Sequence, residues 1–189
     1  LPGFLVLTGA WGMSGFFAFA ALVANDAGMS SASLPLALYA VIVIVLRVVF
    51  ASLPDRMGPA RLAGAALATT AVGLAVIGLA PGQVGLLAGT AVFALGIAFT
   101  FPALITLAVS RVNETERGSV VGTTSAFLDL SFGLGPAVLG VVADASGFTA
   151  VFLLSSLVAA SGAGLIAIRR RSLGMTTVPA ATPGAVDGA

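Results

Sequence analysis

Windows of about twenty apolar residues, each long enough to cross a bilayer as a helix, recur near 3–24, 34–53, 62–80, 84–109, 119–142 and 148–168. A secretory signal is a single short apolar stretch followed by polar sequence, whereas these stretches continue to residue 168. Of 189 residues, 59% are hydrophobic and only 8% charged, far from the roughly 25% charged of soluble domains. The pattern dictates an all-α membrane protein, a six-transmembrane-helix bundle over residues 1–171. Its separators are short and carry turn or capping chemistry: NDAGMSSAS, PDRMGPAR, APGQ, RVNETERG and ADASG.

Basic residues near span ends favour the cytoplasmic side. Arg56 and Arg61 lie in the second connection, Arg111 and Arg117 in the fourth, and Arg169, Arg170 and Arg171 directly after the sixth span. The first, third and fifth connections hold no basic residue, only Asp26 and Asp144. The expected placement is therefore a multi-pass protein of the cell's inner (plasma) membrane with both termini cytoplasmic. Residues 172–189 lack any apolar period and are rich in proline, glycine, alanine and threonine, which predicts a disordered cytoplasmic tail. The chain opens on Leu1, within a few residues of the first span, and is expected to be part of something longer.

Cysteine and histidine are both absent, which removes disulfides, thiolate nucleophiles, imidazole bases and the usual zinc sites. No catalytic residue, metal or cofactor is expected, and no nucleic-acid partner. The stretch GMSG at 12–15 matches a Gly-x-Ser-Gly protease pattern. A serine nucleophile at Ser14, however, needs a base that the chain does not have. Gly9, Gly12 and Gly15 instead give the first helix a smooth face for close packing. Trp11 and Ser14 on that helix, with Thr100 and Phe101 beside Pro102 in the fourth, are candidates to line a cavity.

One acid lies inside a span. In the fifth, residues 118, 122, 125, 129, 133, 136 and 140 read Gly, Gly, Ser, Asp, Gly, Pro, Gly at steps of three or four, so one helix face is small or polar throughout. Asp129 stands on it, eleven residues past Gly118, or about 16 Å into a core about 30 Å thick. Aspartate at mid-depth costs about 2.5–3.5 kcal/mol, and such residues face protein or a water-filled cavity. Either desolvation favours its neutral form for part of a cycle, as proton coupling needs, or it stays ionised against a partner, or it is a structural hydrogen-bonded acid. Arg47 is the only basic residue within a span. It either snorkels to the headgroups or pairs with Asp129. Gly133, Gly135, Pro136 and Gly140 weaken the helix beyond Asp129 and predict a kink or pivot there.

The loop ASLPDRMGPAR, 51–61, resembles the cytoplasmic-loop signature of the major facilitator superfamily, roughly Gly-x-Leu-x-Asp-Arg-x-Gly and two basic residues. Leu53, Asp55, Arg56 and Gly58 stand at matching positions; Ala51 replaces the first glycine, and Arg61 comes one place late. The stretch 101–148 resembles the tenth and eleventh helices of that superfamily through Arg117-Gly118, Gly122, Asp129, Gly135-Pro136 and Gly140. Arg47 resembles an arginine common in the eighth helix of several efflux branches.

The resemblance covers residues 1 to about 170 and implies helices seven to twelve, half of a twelve-helix fold made of two inverted three-helix repeats. It implies a proton-coupled secondary transporter, efflux-like, acting on a small organic molecule. Asp129 and Arg47 would then serve substrate or proton coupling, and Asp55, Arg56, Gly58 and Arg61 the gating loop. Partners on this reading are the lipid bilayer, the substrate and protons, and either a missing N-terminal six-helix half or a second copy. The rival expectation is a non-transporting membrane scaffold or assembly subunit, in which glycine faces bind other helices and Asp129 fixes register.

Overall fold

A computed structural model describes residues 2–50, 57–110, 113, 115 and 117–172. Five helical runs account for nearly all of them: α1 (Pro2–Asp26), α2 (Leu34–Val49), α3 (Pro59–Leu79), α4 (Gln83–Val109) and α5 (Arg117–Ser172). In lipid every backbone amide must be satisfied within its own segment, so apolar stretches of this length become helices. Four of the runs are long and apolar enough to cross a membrane; α2 is apolar but has 16 residues, about 24 Å.

Helix ends follow local chemistry. At the end of α1, Gly28 adopts φ 69°, its amide donates to the Asn25 carbonyl at 2.9 Å, and the Met29 amide donates to Ala24 at 3.0 Å. That pair of bonds is a Schellman closure, and it requires a left-handed residue at the glycine. Gln83, opening α4, donates its side-chain amide to the carbonyls of Ala27 and Gly28 at 3.2 and 3.1 Å, tying the first and third connections together.

The fifth run is 56 residues long, about 84 Å if straight, nearly three times the bilayer core. It breaks at Gly147, φ 76° and ψ 175°. A methyl group built on Gly15 of α1 would lie 2.7 Å from Leu139 and 3.2 Å from Ser155. Those residues flank Gly147 at equal distance, and along a straight helix they would stand about 24 Å apart. The run therefore folds back on itself at Gly147 into two antiparallel arms, 117–146 and 148–172. The predicted connection ADASG is thus almost entirely helical, and the reversal occupies one residue.

Two apolar clusters mark the two ends of the bundle. Leu5, Val6, Leu62, Ala63, Leu104 and Ile166 pack together at one. Phe16, Phe19, Ala24, Ile77, Leu86, Phe93 and Phe152 pack at the other. The first cluster lies beside Arg61, Arg117 and Arg169; the second lies beside the basic-free connections. α3 and α4 form the most intimate seam, α1 packs on both arms of α5, and α2 leans chiefly on α4. Ser156 of the second arm reaches across to α3, donating to the Ala71 carbonyl at 2.7 Å.

Glycine sets the closeness of these seams. A Cβ on Gly89 would lie 2.9 Å from the Gly73 carbonyl oxygen, and one on Gly96 would lie 2.7 Å from that of Ala66. Gly9 and Gly12 similarly accept Thr100 and Leu74 against bare backbone, the role expected of the smooth face of α1.

The kink or pivot expected across Gly133, Gly135, Pro136 and Gly140 is not a break in this structure: the backbone stays helical there, and the only non-helical residue inside α5 is Gly147. Pro136 removes one amide donor but leaves the rest of the ladder, and Gly135 is held where its missing side chain lets Ser14 approach. Ser172, the first residue of the tail expected over 172–189, ends α5; the rest of that tail, and residues 51–53 at the end of the second predicted span, lie outside the described residues.

Candidate functional site

The site is built around the C-terminal half of α4, where it passes between α2 and the first arm of α5. α4 makes little direct contact with α5. Between them lies a cavity of about 180 Å³ lined on one side by Phe101, Ile105 and Val109, and on the other by Val121, Thr124, Ser125, Leu128 and Asp129. Asp129 is its one ionisable group. Phe101, predicted from its place beside Pro102, and Asp129, predicted from its helical face, are thus brought to one cavity.

On the other flank of α4, the Arg47 guanidinium donates from Nε to the Ala98 carbonyl at 3.4 Å. Ala98 lies three residues before Phe101, about 4.5 Å along the axis. Arg47 and Asp129 therefore approach the same stretch of α4 from two neighbouring helices, α2 and α5, which make no contact with each other. In this structure Arg47 satisfies a backbone carbonyl.

Beyond the cavity rim that Ser125 and Asp129 form, the small-residue face of the first α5 arm meets none of the other described residues. A Cβ on Gly118, Gly122, Gly133 or Gly140 would meet nothing within 4 Å, and Ser125 and Asp129 are exposed. The side of the arm that packs inward is Thr124, Ser131, Gly135 and Leu139, a stripe at helical spacing one step round from the first. Ser131 lies level with Leu7 of α1, whose carbonyl is 3.5 Å from its hydroxyl. Asp129 accordingly sits nearer the arginine-bearing end than mid-depth, which the contact of Gly135 with Ser14 marks better.

The other candidates divide. Ser14 is buried, donates to the Trp11 carbonyl at 2.9 Å and abuts Gly135, in the α1–α5 seam. Thr100 is likewise buried, donating to the Gly96 carbonyl at 2.9 Å and lying 3.4 Å from the Thr70 hydroxyl. One physical reason covers both: in lipid, hydroxyls are satisfied by the carbonyl one turn back and serve as small packing groups. Trp11 packs half-buried on the arginine-free cluster, with its indole nitrogen enclosed and without a protein acceptor. Of the loop motif, Gly58 has φ 75° immediately before α3 and Arg61 is exposed in the first turn; Asp55 and Arg56 lie outside the described residues.

Sequence reasoning did not find Thr124 or the Ala98 carbonyl. Thr124 carries no signal beyond its position five residues before Asp129. The carbonyl was detectable, because Pro102 stands four residues after Ala98 and has no amide to offer it.

The family model of the Major Facilitator Superfamily matches residues 2–184. The chain is 34% identical over 165 residues to an MFS-type transporter of Pseudomonas aeruginosa, covering 87% of this chain and 41% of that protein. It is 34% identical over 162 residues to one of Salmonella typhimurium, covering 86% and 42%. A third, from Burkholderia mallei, is 34% identical over 135 residues, covering 71% and 33%. The chain thus spans about four-tenths or less of the length of these relatives.

Proposed function

Because the chain belongs to the major facilitator superfamily, we propose that it is the C-terminal six-helix half of a proton-coupled secondary transporter that exports a small organic molecule. Counting α1 to α4 and the two arms of α5 gives six crossings, in two groups of three that the family fold relates by inversion. The arginine-bearing end faces the cytoplasm, following the charge bias of membrane insertion, and the membrane is the bacterial inner membrane.

The observation that carries this reading is the uncovered face of α5. Gly118, Gly122, Gly133 and Gly140, with Ser125 and Asp129 at the rim of the cavity, form a smooth, partly polar stripe whose glycines meet none of the other described residues. Facing lipid off the mid-plane, Asp129 would carry part of the roughly 2.5–3.5 kcal/mol that aspartate costs at the bilayer centre, and the glycines would gain no packing. Facing a second six-helix half across a hydrated path, the same residues become a close-approach surface with one protonatable group. Relatives more than twice as long leave room for such a half. Asp129 then alternates between a protonated state and a state paired with substrate, while Phe101 and Ile105 supply the apolar wall.

The test uses everted vesicles containing the full-length protein, energised to be acid inside and monitored with a pH-sensitive dye. A transported compound collapses part of the gradient only in vesicles that carry the protein. The Asp129→Asn variant, inserted at the same level, should lose that response. Gradient collapse undiminished in Asp129→Asn, or substrate movement with no proton movement, rules out the assigned coupling role.

A further inference from the structure

We infer that Arg47 supplies the hydrogen bond that Pro102 denies to α4, and that it is a positioning residue fixing α2 to α4 at the level of the cavity. In an uninterrupted helix the carbonyl of Ala98 accepts from the amide of residue 102. That residue is proline, inside the helix, so the amide does not exist. Ala98 is fully buried, where a carbonyl lacking its donor carries a desolvation penalty that water cannot relieve. The Arg47 Nε lies 3.4 Å from that oxygen. Of all the carbonyls along α4, the guanidinium reaches the one that the proline leaves short.

The geometry also explains how an exposed arginine is tolerated in α2. Val41, Ile44, Val45 and Val48 around it are among the most exposed apolar residues of the chain, a surface suited to lipid or a partner and not to a free cation. A bond to a bare carbonyl satisfies part of the guanidinium inside the membrane. α2 also holds to α4 through Val43 against Ala94 and Ala98 and through Tyr39, whose ring packs on Phe93 of α4 and on Phe16 and Phe17 of α1. The Arg47 bond adds a polar link to these apolar contacts, one turn beyond Val43. This reading needs neither substrate nor protons, and it stands or falls separately from the transport proposal.

A double-mutant cycle on the full-length protein in lipid nanodiscs tests it, with unfolding as the readout. Arg47→Met should raise the unfolding equilibrium constant roughly 3- to 20-fold, the range of side-chain hydrogen bonds in membranes converted at 1.4 kcal/mol per tenfold. In a Pro102→Ala background, where the amide is restored, the same change should have an effect under about twofold. Arg47→Gln, which keeps a donor and discards the charge, should recover at least half of the loss. A snorkelling cation, or one held by Asp129, gives the other pattern: Arg47→Gln as damaging as Arg47→Met, and no dependence on residue 102. Either of those results overturns the inference. Should Arg47→Met fail to accumulate, the milder Arg47→Gln and Arg47→Lys measured with Pro or Ala at 102 decide the same question.

Discussion

Gly73→Ala is the sharpest test of how this bundle is held together. In an exposed helix the change is mildly favourable, because alanine is the better helix former by about 1 kcal/mol. At residue 73 the new methyl would lie 2.5 Å from the Phe93 Cα and 2.8 Å from its Cβ. Both belong to the backbone or its first side-chain carbon, so no rotamer change relieves them. α3 and α4 must part by roughly 1 Å to restore ordinary contact distances. That separation also loosens Leu74, Phe93 and Ile97, all fully or almost fully buried. Overpacking of this kind costs about 1–3 kcal/mol. Gly164→Ala is the matched control, helical like residue 73 but with nothing within 4 Å of its Cβ. The propensity gain cancels between the two, so Gly73→Ala should be less stable than Gly164→Ala by about 1–3 kcal/mol. Denaturant titration in mixed micelles, followed by circular dichroism, measures the difference. Equal midpoints would refute the argument that backbone contact sets the α3–α4 spacing.

Two further outcomes follow from single contacts. Ser156→Ala removes the 2.7 Å bond to the Ala71 carbonyl and should cost about 0.6–1.7 kcal/mol in the same titration; a neutral result would mean that the bond is replaced within α5. Gly147→Ala forces a side chain into φ 76°, ψ 175°, a region open essentially to glycine alone, at about 1–3 kcal/mol. It should therefore lower the unfolding midpoint more than Gly164→Ala, which sits in the second α5 arm with open space around it.

The membrane class, the approximate helix positions and the end of the bundle that carries the arginines were all legible in the sequence, because each depends on composition over a window longer than its errors. The turn before α3 was legible too, since a glycine between charged residues and a proline has few alternatives. The reversal at Gly147 was legible only in part. ADASG signals a connection, but alanine, aspartate and serine remain helical when a single glycine can reverse the chain, so the loop proved one residue long. Cavity lining was least legible. Ser14 and Thr100 are polar residues in apolar spans, and pattern alone cannot separate a hydroxyl that faces a path from one that bonds its own helix and packs.

The glycines state the same limit more generally. Gly89 and Gly96 stand on one face of α4, with Gly73 of α3 opposite Gly89, and Gly118, Gly122, Gly133 and Gly140 share one face of α5. The first set is pressed into the seam between α3 and α4, and the second meets none of the other described residues. Their sequences differ in one respect: the α3 face of Gly73 continues into Ala66 and Thr70, which meet Gly96 across the seam, whereas the α5 face continues into Ser125 and Asp129. An acid is out of place in a seam between two apolar helices, where no water and no cation reach it. It suits a surface that closes against another body and opens again. The uncovered stripe is therefore the feature to follow from this chain to whatever adjoins it, and the contrast between the two glycine faces is the physical reason for looking there first.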